Sequence, residues 1–284
     1  MMQNLLEFFE HLRPGHVTVL GVPYDENSSF MHGPASAPAR IREVLNAGSA
    51  NLCSESEIDL SIEPRFHDLG DLDLLSGTTL FEQSEKAITD LLEREVYVLS
   101  LGGDHSITYP VLKAYGKKHK KLDILHLDAH PDLYDEFEDN RFSNACPFAR
   151  IMEENLAARL VQIGIRTMNP HQRAQAERFG VEVIEMKKWH PDIPLGFEGP
   201  VYLSLDMDVL DPAFAPGVSH HEPGGLSARD VLQIIQGIRA PIVGADIVEF
   251  NPKRDPSGIT AMAAAKFLKE IAAHMIETTV ALKP

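Results

Sequence analysis

Short apolar runs alternate with helical patterns along nearly the whole chain, and this alternation is the strongest constraint on its fold. The predicted strands are VTVLGV (17–22), VYVLSL (96–101), LDILHLD (122–128), LVQIGI (160–165), VEVIEM (181–186), VYLSLDMD (201–208) and IVGADIVEF (242–250). Strands that alternate with helices predict a mostly parallel sheet covered on both faces, and these runs are apolar on both faces as such a sheet requires. A (β/α)₈ barrel shows the same alternation and is an open alternative. In both architectures, ligands bind at the carboxyl ends of the strands.

Helical patterns fill the segments between these runs. They are PARIREVLNAG, LFEQSEKAITDLLERE, SITYPVLKAYGKKH, ACPFARIMEEN, NPHQRAQAERFG, SARDVLQIIQGI and ITAMAAAKFLKEIAAHMIE. Ser227 and Asp230 have the spacing of a capping box, and Gly180 is placed to end a helix. The amino-terminal MMQNLLEFFEHLRPG lacks a basic region and is interrupted by charges, which predicts a short amphipathic helix and not a signal peptide.

Composition limits the class of partner and the compartment. The chain has 284 residues and a formal net charge of −16, which argues against a surface for nucleic acid or an anionic membrane. No run approaches the roughly 18 apolar residues of a membrane helix. Cys53 and Cys146 are the only cysteines, too few for a disulfide framework, which fits a reducing compartment. We therefore expect a soluble cytoplasmic protein.

Acidic and histidine side chains lie at or just past the ends of four predicted strands. The segments are SLGGDHS (100–106), HLDAHPD (126–132), SLDMDVLDP (204–212) and GADIVEFNP (244–252). Residues two apart in a strand share a face, so we expect the alternating acids and histidines of each segment to converge. Glycines in the first segment allow a tight turn that brings its histidine to the same place. The converging set is His105, Asp128, His130, Asp132, Asp206 and Asp208.

Two metal ions explain this set better than any single structural role. Taken alone, a histidine in a strand is usually a core residue, and an aspartate at a strand end is usually a cap, as we expect for Asp211. Alternating Asp-x-His-x-Asp and Asp-x-Asp in two apolar strands is hard to explain in that way. Clustered carboxylates repel each other in a low dielectric unless cations intervene. Ligation by histidine and aspartate without thiolate favours Mn²⁺, and a pair of ions generates a hydroxide nucleophile near neutral pH.

At these residues the sequence closely resembles the ureohydrolases, the arginase and agmatinase family, and it is most similar to the plant-type arginases. The resemblance covers nearly the whole chain and includes GGDHS (102–106), LDAHPD (127–132), SLDMDVLDPAFAPGVS (204–219) and DIVEFNP (246–252), together with NSSFMHGPASAP and SHHEPGG. It implies one α/β domain over residues 1–284, a three-layer α/β/α sandwich with a central, mostly parallel eight-stranded sheet. It also implies two Mn²⁺ ions per chain and a homotrimer or homohexamer.

The resemblance also implies a role for each residue. One Mn²⁺ would be held by His105, Asp128, Asp132 and Asp206, and the other by Asp128, His130, Asp206 and Asp208. Asp132 would assist proton transfer from a metal-bridging hydroxide, Glu249 would hold the substrate guanidinium, and His126 would support the site or belong to the core. The implied reaction is hydrolysis of L-arginine or agmatine to urea and an amine.

Asn144 marks a departure from the family. Many relatives carry a histidine at this point, thought to shuttle protons, and an amide cannot relay protons as imidazole does. Turnover could therefore be slower, or His220 or His221 could substitute for the missing histidine. Alternatively, the chain could act on another guanidino or formimino compound, such as guanidinobutyrate, guanidinopropionate or formiminoglutamate. It could also be a metal-binding relative with weak activity or none. We expect Asn144 and His220 to contact substrate with Glu249. Other residues in the substrate segments, which do not decide between arginine and agmatine, are Tyr134, Asn140, Ser143 and Asn169.

Overall fold

Eight parallel strands form one central sheet in the computed structural model, which describes residues 11–73 and 79–279. The order across the sheet is β2-β1-β3-β8-β7-β4-β5-β6. The strands are β1 (Val17–Val22), β2 (Phe66–Asp71), β3 (Tyr97–Gly102), β4 (Asp123–Leu127), β5 (Arg159–Ile165), β6 (Glu182–Glu185), β7 (Val201–Asp206) and β8 (Ile242–Val248). Because β2 and β6 are open edges, the sheet does not close on itself and the barrel alternative is excluded.

Helices cover both faces of this sheet. They are α1 (Ala37–Asn46), α2 (Leu80–Glu93), α3 (Thr108–Lys118), α4 (Pro147–Glu153), α5 (Pro170–Phe179), α6 (Ala228–Gly237) and α7 (Ile259–Thr279). The apolar residues of α1, α6 and α7 share one core with alternate strand residues, and those of α2 to α5 share a second core with the others. The predicted three-layer α/β/α fold is confirmed, and its sheet is wholly parallel where we expected a mostly parallel one.

The strand residues show why both faces had to be apolar. In β7, Leu203 and Leu205 face the core under α1, α6 and α7, whereas Tyr202 faces the opposite core. Every residue of β7 and β8 is buried. A strand at the centre of a doubly covered sheet has no solvent face, so its sequence is a continuous apolar run except where polar residues have a partner.

Several local predictions can be compared with the structure. The capping box of Ser227 and Asp230 is present at the start of α6, and Gly180 ends α5 with a left-handed φ of 66°. The sequence patterns missed β2, because FHDLGD is a half-exposed edge strand without an apolar run. The helix predicted within MMQNLLEFFEHLRPG lies mostly outside the described residues, and the single domain over residues 1–284 stays a prediction.

Helix α7 is the longest described helix, with 21 residues. It packs along the sheet as part of the core, and it carries Lys266, Lys269, Glu270 and Glu277. Neither α7 nor any other helix in the described part of the chain combines the length and the apolar character that crossing a membrane requires.

Candidate metal centre

The candidate residues meet at the carboxyl ends of the four central strands, β3, β8, β7 and β4. His105 begins a 3-10 turn after β3, and Asp208 lies in a 3-10 turn after β7. Asp206 is the last residue of β7, and Glu249 immediately follows β8. The remaining three, Asp128, His130 and Asp132, lie in the loop after β4. The predicted convergence at the ends of the strands is therefore observed.

The reason for this convergence differs from the predicted one. We expected Asp128, His130 and Asp132 to alternate along a strand, but β4 ends at Leu127. The loop is shaped instead by the Asp128 carboxylate, whose Oδ1 accepts a hydrogen bond from the backbone N–H of His130 at 2.6 Å, and by a left-handed φ of 49° at Asp132. After β7, Oδ1 of Asp206 likewise accepts from the backbone N–H of Asp208 at 2.7 Å.

Three carboxylates surround one nitrogen of His105. Its Nδ1 lies 3.2 Å from Oδ2 of Asp128, 3.0 Å from Oδ2 of Asp132 and 3.2 Å from Oδ2 of Asp206. This buried Nδ1 has no well-formed hydrogen bond to any described residue. An imidazole nitrogen that faces a group of carboxylates is the donor arrangement that a divalent cation requires, so these residues fit a metal ion.

A second group lies on the other side of Asp128. Nδ1 of His130 is 3.3 Å from Oδ1 of Asp128 and 3.0 Å from Oδ2 of Asp208. Asp128 therefore presents one oxygen to each group. The ligand atoms of Asp128, His130 and Asp208 all lie within 4.8 Å of one another, close enough to hold an ion. The geometry contains two adjacent candidate positions that share a carboxylate.

The pKa values of the clustered groups in the absence of metal indicate that this cluster favours bound positive charge. Burial and the neighbouring carboxylates of Asp208 and Asp128 raise the pKa of Asp206 well above its usual range, and burial and Asp128 raise the pKa of Asp132 to about 7. Burial lowers the pKa of His105, but the three surrounding aspartates outweigh it and raise that pKa well above 6.5. These groups bind protons tightly because the cluster needs positive charge, and metal ions supply it more effectively.

His126 supports the site but is not a good ligand. Its Nδ1 lies 3.0 Å from Nε2 of Gln162, and that amide also donates to the carbonyl of Pro131 at 2.7 Å. The carbonyl fixes the orientation of the amide, so Nδ1 of His126 accepts and Nε2 carries the proton. Nε2 donates this proton to Oδ2 of Asp128 at 2.8 Å. Although His126 is near enough to the cluster to reach a metal, its available nitrogen is already used.

Glu249 has a strained backbone, and two hydrogen bonds hold one of its carboxylate oxygens. Its φ of 61° is left-handed, and the residue is buried. Oε1 accepts from the backbone N–H of His105 at 2.9 Å and from Nδ2 of Asn144 at 2.9 Å. Oδ1 of Asn144 in turn accepts from the backbone N–H of Ser29 at 2.9 Å. Asn144 therefore links Glu249 to the loop that follows β1, a contact that the sequence did not reveal.

Only one of the two histidines proposed as substitutes for the missing histidine faces the pocket. The ring of His220 lies between those of His130 and Phe30, with centroid distances of 5.6 and 5.5 Å. His221 points elsewhere, since its Nε2 lies 2.7 Å from the carbonyl of Pro216 and its Nδ1 lies 3.1 Å from Arg254.

A cavity of about 220 Å³ opens above the two candidate positions. Its lining contains four acids and His130, together with neutral side chains, among them Tyr134, Asn169 and Asn144. Asn169 donates to the Tyr134 hydroxyl at 2.6 Å. Sequence reasoning did not single out five of the lining residues, which are Ser29, Phe137, Ala145, Thr167 and Gln172.

Arg166 is a further residue that the sequence did not single out, and it lies outside the lining of the cavity. Its guanidinium donates to five backbone carbonyls, including that of Asp208 at 2.7 Å. The other four are those of Gly164, Val209, Leu210 and Glu222. Arg166 thus joins the end of β5 to the 3-10 turn that carries Asp208 and to the loop after His220.

Known proteins identify the family to which this arrangement belongs. The model of the arginase family matches residues 15–274. The chain belongs to the arginase family. It is 49% identical over 276 residues to the mitochondrial arginase 1 of Arabidopsis thaliana, covering 91% of this chain and 80% of that protein. It is 34% identical over 266 residues to an agmatinase of Bacillus cereus, covering 90% of each chain. Among solved structures, an arginase from Medicago truncatula matches with a TM-score of 0.86 and 42% identity, over 95% of this chain and 90% of that one.

Membership confirms the predicted hydrolase of the arginase and agmatinase type. The family is metal-dependent, and the group of buried histidines and aspartates is a candidate metal-binding cluster.

The predicted cytoplasmic location is wrong by the same comparison, because the Arabidopsis relative is a mitochondrial arginase. The prediction rested on the lack of a membrane-length apolar run and on the presence of only two cysteines, and these properties do not separate one reducing compartment from another.

Proposed function

We propose that this protein is a manganese-dependent amidinohydrolase that cleaves a guanidino compound into urea and an amine. The observation that carries the proposal is the pair of adjacent ligand groups that share Asp128 and lie below a pocket containing Glu249. A shared carboxylate is the usual bridge in two-metal hydrolases.

The ligand groups divide between two ions. His105, Asp128, Asp132 and Asp206 would hold one ion, and Asp128, His130, Asp206 and Asp208 would hold the other, as the resemblance implied. The donors are carboxylate oxygens and imidazole nitrogens without sulfur, a set that suits Mn²⁺. When bound, the two ions supply Lewis acidity and make a water molecule acidic enough to act as a nucleophile near neutral pH.

Three side chains of the protein, those of Glu249, Asn144 and Asp132, contribute directly to binding and proton transfer. The carboxylate of Glu249 pairs with the planar guanidinium and orients its carbon toward the ligand groups. Asn144 keeps that carboxylate in place through its hydrogen bond with Oε1. Asp132 accepts a proton from the attacking water as the new C–O bond forms, and it returns the proton to the departing nitrogen as the C–N bond breaks. Protonation matters because a neutral amine leaves far more readily than an amide anion.

L-Arginine and agmatine are the proposed substrates. The matched relatives include an arginase and an agmatinase, which supports both. The lining of the cavity contains no lysine or arginine among the described residues, so neutral donors would have to recognise an α-carboxylate. As the resemblance implied, the assembly we propose is a homotrimer or homohexamer without nucleic-acid or membrane partners.

Release of urea by the manganese-loaded protein tests this function. The panel contains L-arginine, agmatine, guanidinobutyrate and guanidinopropionate, with formiminoglutamate followed through release of formamide. We expect urea from arginine or agmatine, and a loss of activity of about 100-fold or more for the isosteric variant Glu249→Gln, which cannot form the ion pair. If two metals bind but no compound in the panel is hydrolysed, the proposal is wrong and the chain is a metal-binding relative without activity.

A further inference from the structure

A row of buried polar side chains crosses the sheet beneath the candidate metal ligands. Paired positions on five adjacent strands contribute one residue each, and the row consists of Ser100 on β3, Asp246 on β8, Ser204 on β7, His126 on β4 and Gln162 on β5. All five residues are fully buried. They lie on the face of the sheet that is covered by α2 to α5. Polar groups are expensive to bury in such a place, so a row of them calls for a specific partner.

Asp246 is the only carboxylate in this row, and its contacts determine which groups donate and which accept the neighbouring hydrogen bonds. Oδ2 accepts hydrogen bonds from the Tyr202 hydroxyl at 2.7 Å and from Thr108 Oγ1 at 2.9 Å, and Oδ1 accepts from Ser204 Oγ at 2.7 Å. The hydroxyl proton of Ser204 is therefore directed to Asp246. Since a hydroxyl has one proton, Ser204 can only accept from its other neighbour.

That neighbour is His105. Nε2 of His105 lies 3.0 Å from Oγ of Ser204. Because Ser204 accepts there, Nε2 carries the proton of the neutral ring, and the lone pair of that neutral ring is on Nδ1. Nδ1 is the nitrogen that faces Asp128, Asp132 and Asp206. The order of donors from His105 through Ser204 to Asp246 thus fixes the tautomer that can bind a metal.

We infer that Ser204 and Asp246 are positioning residues, which prepare His105 as a metal ligand by fixing its tautomer and the orientation of its ring. The inference rests on the proposed manganese site and deepens it. His126 and Gln162, at the other end of the row, fix the orientation of Asp128 in a similar way. Two ligands of the proposed first ion are thus held from below by one continuous row.

An isosteric substitution can reverse the order of donors. In Asp246→Asn, the remaining oxygen must stay where Tyr202 and Thr108 donate, so the amide nitrogen takes the place of Oδ1. It then donates to Ser204, whose own proton turns toward Nε2 of His105. His105 would have to carry its proton on Nδ1, where metal binding needs a lone pair. The variant keeps the shape of the core while it disfavours the ligand tautomer.

The test is the affinity of the metal-free protein for Mn²⁺, measured by titration with detection of free Mn²⁺ by electron paramagnetic resonance. We expect Ser204→Ala and Asp246→Asn each to weaken manganese binding by about 10- to 100-fold, the usual effect of removing such a supporting contact. The matched control is Ser100→Ala, the same change in the same row, because Ser100 Oγ has no hydrogen-bond partner among the described residues. This control should bind manganese as the wild type does.

Thermal unfolding of the metal-free variants separates positioning from folding. A purely structural role would lower the Tm of Ser204→Ala and Asp246→Asn while leaving the manganese affinity of the folded fraction unchanged, and that result would overturn the inference. Wild-type protein that binds no manganese would overturn the metal site itself and the inference with it. Wild-type protein that binds manganese but releases no urea would refute the proposed function alone, and the affinities of the variants would still decide the inference.

Discussion

The contact between Asn144 and Glu249 leads to the sharpest prediction about activity. In Asn144→Ala, Glu249 loses the 2.9 Å hydrogen bond from the amide, and the backbone N–H of Ser29 loses its acceptor. A hydrogen bond to a charged group contributes about 1.5–3 kcal/mol. If this contribution acts on the bound guanidinium, kcat/KM should fall by about 10- to 100-fold, since each 1.36 kcal/mol corresponds to a factor of ten.

The assay is steady-state release of urea by manganese-loaded protein, and Asn27→Ala is the control. Asn27 lies in the same loop as Ser29 and makes neutral side-chain contacts with Ser106 and Asn140, but none with Glu249. We expect the control to stay within about threefold of the wild type, because it loses only neutral hydrogen bonds outside the pocket. Equal activity of Asn144→Ala and the wild type would refute the idea that Asn144 holds Glu249.

Three further predictions concern metal binding and stability. Asp128→Ala should lose both manganese ions, because both ligand groups share this carboxylate; elemental analysis that finds one ion retained would contradict the bridge. In the metal-free protein the pKa of Asp132 is raised from 3.8 to about 7, by burial and then by Asp128, and the pKa values of His105 and His130 are raised by nearby carboxylates despite burial. These groups bind protons more tightly in the folded protein, so the stability they contribute is present at low pH and is lost as the pH rises through their folded pKa values. The Tm of the metal-free protein should therefore fall from about pH 5 to about pH 8, and the increase in Tm on adding manganese should become larger over the same range. A Tm of the metal-free protein that rises over this range would contradict the prediction. Arg166→Ala should lower the free energy of unfolding, measured with denaturant, by about 2–4 kcal/mol. Arg166→Lys should recover little of this stability, because an ammonium group cannot reach five carbonyls at once. Full recovery in Arg166→Lys would contradict the idea that the guanidinium joins these loops.

The sequence predicted most of the fold because the central strands are buried on both faces. Such strands must be continuous apolar runs, and the six inner strands were recognised in that way. The edge strand β6 was recognised as well, from the VEVIEM pattern, in which apolar and acidic residues alternate with one interruption, although it is only partly buried. The exception, β2, is an edge strand whose FHDLGD sequence is half exposed, so its pattern resembles a loop. A strand buried on both faces is an apolar run, whereas an edge strand is recognised only where its residues still alternate for the most part between apolar and polar, as they do around β6 but not in β2.

The identities of the site residues could be predicted, but their supports could not. Acids and histidines at strand ends are unusual enough to stand out in the sequence. The left-handed backbone at Asp132 and Glu249, by contrast, follows from loop contacts that no local pattern encodes. The contact of Asn144 with Ser29 spans 115 positions and depends on how two loops meet above the sheet. In the sequence, Asn144 is therefore visible only as a departure from a family pattern, and its contacts with Glu249 and Ser29 are visible only in the structure.

The central claim is that one chain holds two neighbouring manganese ions, and the most direct test is electron paramagnetic resonance combined with elemental analysis of the manganese-saturated protein. Two ions that share the Asp128 carboxylate should be about 3.5–4 Å apart and magnetically coupled. We predict two manganese ions per chain and the spectrum of a coupled pair. One ion per chain, or two ions with the spectrum of isolated Mn²⁺, would contradict the shared site.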